Sequence, residues 1–223
     1  MNSSVMDILK KAEEILETAK FGHQDLKSKD RSRRYSGIRN LVVFGRSVTF
    51  VIQNLKTPVG QEKFNKWYQP MQEKMKDDIV MKYFVTLRNE ILKQGKLPIS
   101  TSANIKNFST SDIPNLGPRP PGADRFFIGD QTGGSGWEFE LPDGTREKYY
   151  IEIPESIAIV KQHFSELPVP EDDKLKEKSI EELCEYYINK LEWILNEARK
   201  EFLHESTQTI KGKRLPPYLR VIK

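Results

Sequence analysis

The sequence predicts a mainly α-helical protein: a bundle of about five helices carrying a small antiparallel β-hairpin insertion. Three observations support this. Apolar residues recur at three- and four-residue spacing through residues 1–95 and again toward the C-terminus, the period of one helix face. Serine or aspartate precedes several of these runs and glycine closes one, as helix ends require. Between them, residues 96–156 turn rich in Pro, Gly, Ser and Asn and contain a strand–turn–strand pattern. The expected organisation is therefore N-terminal bundle helices over 1–95, a loop-and-hairpin insert over 96–156, a linker and C-terminal bundle helix over 157–204, and a basic tail over 205–223.

The first helix is expected from Ser3 or Ser4 to about Ala19, with Val5, Ile8, Leu9, Ala12, Ile15, Leu16 and Ala19 inward. Ile38–Leu55 is apolar on most sides, which suits the central helix of a bundle. Its β-branched residues would also allow a strand, but its length favours helix. Arg39, Arg46 and Gln53 form a polar stripe along it. A third helix is expected from Val59 to about Met75, with a break or kink near Pro70. Asp77 is positioned to cap the fourth, which runs to Gln94 and stops at Gly95. Leu97–Gly136 reads as a long excursion leading to strand Arg125–Ile128 and to the hairpin arms Trp137–Leu141 and Arg146–Ile153. Ile157–Phe164 reads as a short helix. Ser179 with Glu182 forms a capping-box pattern ahead of the final helix, Ser179–His204.

Composition excludes several function classes. Among 223 residues no stretch approaches eighteen uncharged apolar residues, so no membrane span is expected, and no secretory signal opens the chain. Cys184 is the single cysteine, which removes disulfide frameworks and cysteine-rich zinc sites; the expected setting is cytoplasmic. His23 and His163 lack partners at metal-ligand spacing, so neither a metal nor a cofactor is expected. The net charge is only +4, but Lys27–Arg39 and the final thirteen residues are strongly basic. Such clusters attract phosphates or simply face solvent. Gly129–Gly136 lacks the lysine and Ser/Thr ending of a phosphate-binding loop and reads as the approach to the hairpin. Trp137, Tyr149 and Tyr150 would either stack bases or pack on the bundle.

The residue that stands out is Arg88. On a helical projection it lies roughly 100° from Leu87, inside the apolar arc formed by Val80, Met81, Phe84, Val85, Ile91 and Leu92. A guanidinium there needs a carboxylate, a phosphate or water. Glu13, Glu17 and Asp77 are the acids that would make it a structural ion pair. If Arg46 faces Arg88, the two cations would need a shared counter-charge and form an anion site.

The string Phe84-Val85-Thr86-Leu87-Arg88-Asn89-Glu90-Ile91-Leu92 and the order of helices resemble the HEPN superfamily (higher eukaryotes and prokaryotes nucleotide-binding). The resemblance implies a helical, homodimeric protein in which a helical arginine, followed by a polar residue, and a histidine separated from it by four to six residues cleave RNA in active members. Arg88 and Asn89 match the opening of that motif, but Lys93, Gln94 and Gly95 stand where histidine is expected. Without histidine the site lacks a proton carrier near neutral pH while keeping a cation for phosphate. A literal Arg-x4-His does occur at Arg199 and His204, although the two project roughly 140° apart. The catalytic assignment thus stays open, with Arg199 and His204 as its candidates.

The expected function is recognition of RNA, a nucleotide or another phosphate-bearing partner by Arg88, Asn89, Arg46 and Lys93. A degenerate ribonuclease of a toxin or defence system fits this description. The competing expectation is a protein-interaction or scaffolding module in which Arg88 is an ion pair and the insert holds the binding surface.

Overall fold

The computed structural model describes residues 2–28, 30–170 and 173–210. Helix α1 spans Asn2–Lys27, well past the expected end at Ala19. Gly22 does not stop it, because that glycine is the point where α1 meets α2 (Arg34–Ile52) backbone to backbone. A Cβ on Gly22 would lie 2.5 Å from the Gly37 carbonyl oxygen, and one on Gly37 would lie 2.6 Å from the Gly22 carbonyl oxygen. The basic link between these helices is correspondingly short. It is a single 3-10 turn, Arg31–Arg33, whose start is capped by Asp30 accepting from the Ser32 amide.

Helix α2 is a helix throughout, and it packs against α1, α5 and α6. Ile38, Leu41, Val42, Val48 and Ile52 are buried along it. One helical turn, α3 (Lys56–Val59), leads to α4 (Gln61–Asp77), which continues through Pro70 without the expected break. Helix α5 (Ile79–Gln94) is capped by Asp78 rather than Asp77; the Asp78 carboxylate accepts from the Val80 and Met81 amides. Gly95, at φ +66°, ends the helix in the left-handed conformation. Helix α6 (Ile180–Ile210) starts from the expected Ser179/Glu182 capping box. In the centre of the bundle the Tyr187 ring stacks on Phe84 at 4.2 Å.

Mainly α therefore holds, but the strand content exceeds one hairpin. Among the described residues there are two sheets. Strands β2 (Ala123–Ile128), β3 (Ser135–Glu140) and β4 (Arg146–Ile151) form an antiparallel meander around the expected hairpin. The other sheet pairs β1 (Ile99–Ile105) with β5 (Ala158–Phe164) in antiparallel register, Ile99 opposite Phe164. Ile157–Phe164 is thus a strand, not the short helix its sequence suggested. Its partner lies more than fifty residues away, so local pattern could not reveal the pairing. Phe164 enters the bundle core beside Tyr83 and Phe84, so β5 belongs as much to the bundle as to the insert. Of the expected basic tail, residues 211–223 lie outside the described residues, as does Lys29 in the first basic stretch.

The two halves are tied by Arg34, which is only 5% exposed. Its guanidinium donates to the Leu26 carbonyl at 2.6 Å and to Gln162 Oε1 at 2.7 and 3.0 Å, and it pairs with Glu181 at 2.5 Å. It therefore joins the end of α1, strand β5 and the start of α6.

Arg34→Ala should destabilise the protein by about 3 kcal/mol in denaturant titration. This is the low end for a broken buried pair, because Glu181 keeps some contact with water. Gly37→Ala should cost roughly 1–3 kcal/mol through overpacking against α1, whereas alanine at exposed Gly95 should cost only its left-handed backbone strain.

Candidate anion-binding surface

The stripe of Arg39 and Arg46 on α2 and Gln53 in the 3-10 turn that follows it is half-buried. Arg39 reaches the Gly95 carbonyl at 3.3 Å, where a cation complements the C-terminal end of α5. Arg46 donates from Nη1 to Thr49 Oγ1 at 2.7 Å, Thr49 donates back to the Arg46 carbonyl, and Gln53 donates to the Thr49 carbonyl. This local chain fixes the Arg46 side chain along the helix.

Arg46 and Arg88 both approach a single ring, that of Phe50. The Arg46 guanidinium carbon lies 4.5 Å from the ring centroid and that of Arg88 lies 6.0 Å from it. Phe50 is itself 45% exposed. Asn89 steadies Arg88 by accepting from Nη1 at 3.1 Å, while Arg88 Nε is buried with no hydrogen-bond partner. No carboxylate pairs with either arginine among the described residues. Glu13 holds Arg199 instead, at 2.5 Å, and Glu17 holds Lys20 at 2.6 Å. Lys93 is exposed on the last turn of α5 and makes no hydrogen bond or ion pair among the described residues.

Of the residues expected to form the site, the fold brings together Arg46, Arg88 and Asn89. Lys93 is left at the rim. Arg199 serves to tie α1 to α6, and the side chain of His204 lies outside the described residues. Phe50 escaped notice in the sequence, although an aromatic four residues after Arg46 on a helix is a readable signal. His23 Nε2 faces the Glu181 carbonyl, and His163 sits between Ser102 Oγ and the Lys178 carbonyl.

Gly129–Gly136 is not merely an approach to the hairpin. Asp130 organises it: Oδ1 accepts from the Thr132 and Gly134 amides and the Thr132 hydroxyl, while Oδ2 accepts from Lys148 and Tyr150. The carbonyls of this turn then accept from the bundle, Gln131 from Tyr35 and Thr132 from Arg31. Two of its amides are thus already committed to a carboxylate of the chain. Trp137 packs in the meander against Phe126 and beneath Arg119, not on the bundle, and Tyr149 is exposed.

Burial works against the Asp130 charge, but the hydrogen bonds from Lys148, Thr132, the Gly134 amide and Tyr150 prevail and hold its pKa down to about 2. That lies below the ~3.9 of an unfolded aspartate, so the unfolded chain takes up the proton first. The stabilisation is complete above the unfolded value and lost as pH falls through about 2. Thermal unfolding of the protein and of Asp130→Asn should therefore differ at neutral pH and converge across that window.

Residues 11–116 match the family model described as bacteriophage lambda protein ea47. The match runs from α1 into the insert and includes Arg46, Phe50, Arg88, Asn89 and Lys93. No curated protein and no solved structure matches the chain.

Proposed function

We propose that this protein is a HEPN-like module that binds RNA, or another phosphate-bearing partner, on the surface formed by Arg46, Phe50, Arg88 and Asn89. The observation that supports this reading is the meeting of two guanidiniums at one exposed ring with no carboxylate to neutralise them among the described residues. A phosphate supplies the missing charge and accepts in-plane hydrogen bonds, and a base finds a stacking face in Phe50. Asn89 presents Arg88 without competing for its charge.

Cleavage is a separate matter. With Lys93, Gln94 and Gly95 in place of a histidine, no group on α5 is suited to shuttle a proton at neutral pH. The reading is therefore of a degenerate ribonuclease that recognises its target more readily than it cuts it, in the manner of a toxin- or defence-type subunit. A homodimer follows from the same resemblance, and the exposed side chains of Phe44 on α2 and Leu92 on α5 offer apolar area for it. The competing reading, a scaffolding module with Arg88 as a structural ion pair, lacks the carboxylate it requires among the described residues.

Fluorescence anisotropy with a labelled single-stranded RNA tests this. Binding should weaken with salt, and Arg46→Ala and Arg88→Ala should each lower the slope of log affinity against log salt by about 1. Phe50→Ala should cost roughly 1–3 kcal/mol of affinity with little change in melting temperature. Unchanged affinity in a well-folded Arg88→Ala would refute the proposal.

A further inference from the structure

Behind Arg46, helices α2, α4 and α5 leave a cleft of about 540 Å³ floored by Tyr187 of α6. That volume lies in the range of small-molecule sites. Its walls are largely apolar, with Met81 and Val85 of α5 and the rings of Tyr68 and Tyr187, and Gln53, Gln72 and Thr86 stand among them. The two rings are held from behind. Tyr68 stacks on Phe64 at 5.0 Å, and Tyr187 lies against Phe84 on one side and over Gly45 on another. A Cβ on Gly45 would lie 2.5 Å from Tyr187 Cε1, so the missing side chain is what admits the ring. The cleft is therefore shaped by the core rather than by loose surface chains.

Its charges are all of one sign. Arg46, braced by Thr49, faces it from α2, Lys76 from α4 and Lys82 from α5, and no carboxylate is among the lining residues. None of the three cations makes an ion pair among the described residues. Burial raises the pKa of both tyrosine hydroxyls, first-order against the opposing pull of Arg46, so both remain neutral hydrogen-bond donors at physiological pH.

We propose that this cleft binds a small organic anion, a single carboxylate, sulfonate or phosphate carried on an apolar or aromatic body. The body fits between the tyrosine rings and the α5 wall, and the anionic head meets Arg46 with Lys76 and Lys82 at the mouth. Apolar walls with a few convergent polar groups are what such a ligand requires. Its size also sets it apart from a polymer: an RNA strand engages the exposed Phe50 face, whereas only a compact molecule enters the cleft. The site shares Arg46 with the RNA-binding surface but does not depend on RNA being bound there.

The probe is 1-anilinonaphthalene-8-sulfonate, an aromatic sulfonate, compared with N-phenyl-1-naphthylamine, the same body without the anion. The sulfonate should bind at one site per chain. Lys82→Ala should weaken it roughly threefold to fivefold, as loss of one exposed ion pair allows, and Lys82→Glu should weaken it further. Thr86→Trp, which fills the cleft, should abolish binding. The neutral dye should bind more weakly and ignore both Lys82 variants. Equal binding of the two dyes, or a sulfonate indifferent to Lys82→Glu, would overturn the proposal in favour of a merely apolar groove. A sulfonate signal that survives Thr86→Trp would place the dye elsewhere and overturn it as well. Lys82 sits at an exposed position, so its variants keep the fold. RNA affinity measured on the same proteins separates the two sites: Lys82→Glu should lose the dye and Arg88→Ala the RNA.

Discussion

Burying a guanidinium is costly unless nearly every donor finds an acceptor, and Arg34 meets that condition by drawing three parts of the chain to one point. The Leu26 carbonyl ends α1, Glu181 opens α6 and Gln162 sits on β5. Gln162 passes the connection on, accepting from Arg34 through Oε1 while Nε2 donates to the Gln131 carbonyl at 2.7 Å. Helix bundle, bridging strand and β-meander are thus linked through one cation and one amide. The arrangement requires α1 and α2 to touch at Gly22 and Gly37, since only that closeness brings Arg34 within reach of the Leu26 carbonyl. It also requires Gly133, at φ +72°, because a side chain there would press on Gln162.

Against this background the arginines fall into distinct sets. Arg34, Arg146 and Arg199 are held by acids and serve architecture. Arg31, Arg39 and Arg119 donate to backbone carbonyls. Arg46 and Arg88 have only neutral partners among the described residues, a nearby threonine and an adjacent asparagine, and they share one phenylalanine ring. A half-buried cation in that state is stabilised by an arriving anion more than one already paired, because no existing ion pair must be broken. Architecture and recognition are therefore separated along α2 itself, with Arg34 at its beginning and Arg46 farther along the helix.

On the proposed functions, Arg46 would couple two kinds of recognition. On one side lies the exposed Phe50 ring with Arg88; on the other lies the apolar-walled cleft with Lys76 and Lys82. A small anion and a polymer phosphate would draw on the same guanidinium, which gives the occupant of the cleft a physical means of influencing the surface.

How much of this was legible in the residues depended on how local each cause was. The long helices, the capping box at Ser179 and the glycine stop at Gly95 follow from spacing and end chemistry within a few residues; the capping box and the stop lie where expected, while α1 runs well past its expected end. Arg88 was recognisable as a misplaced charge, and Asn89 as its neighbour, because a helical projection needs only the helix. Its partner ring was harder to see, since Phe50 reaches Arg88 only when α2 and α5 are packed. The β1–β5 pairing, the Asp130 turn and the Arg34 junction were not legible at all. Each depends on at least one contact between groups 18 or more residues apart, 147 for Arg34 and Glu181, and short-range periodicity holds no information at that distance. By itself, then, the sequence determined the helices, the capping box at Ser179 and the presence of an unusual cation, all products of local backbone and burial preferences, while the cap of α5 proved to be Asp78 rather than Asp77. Whether that cation would be neutralised within the fold was decided only by the tertiary structure, because the answer depended on which acids packing had already placed elsewhere.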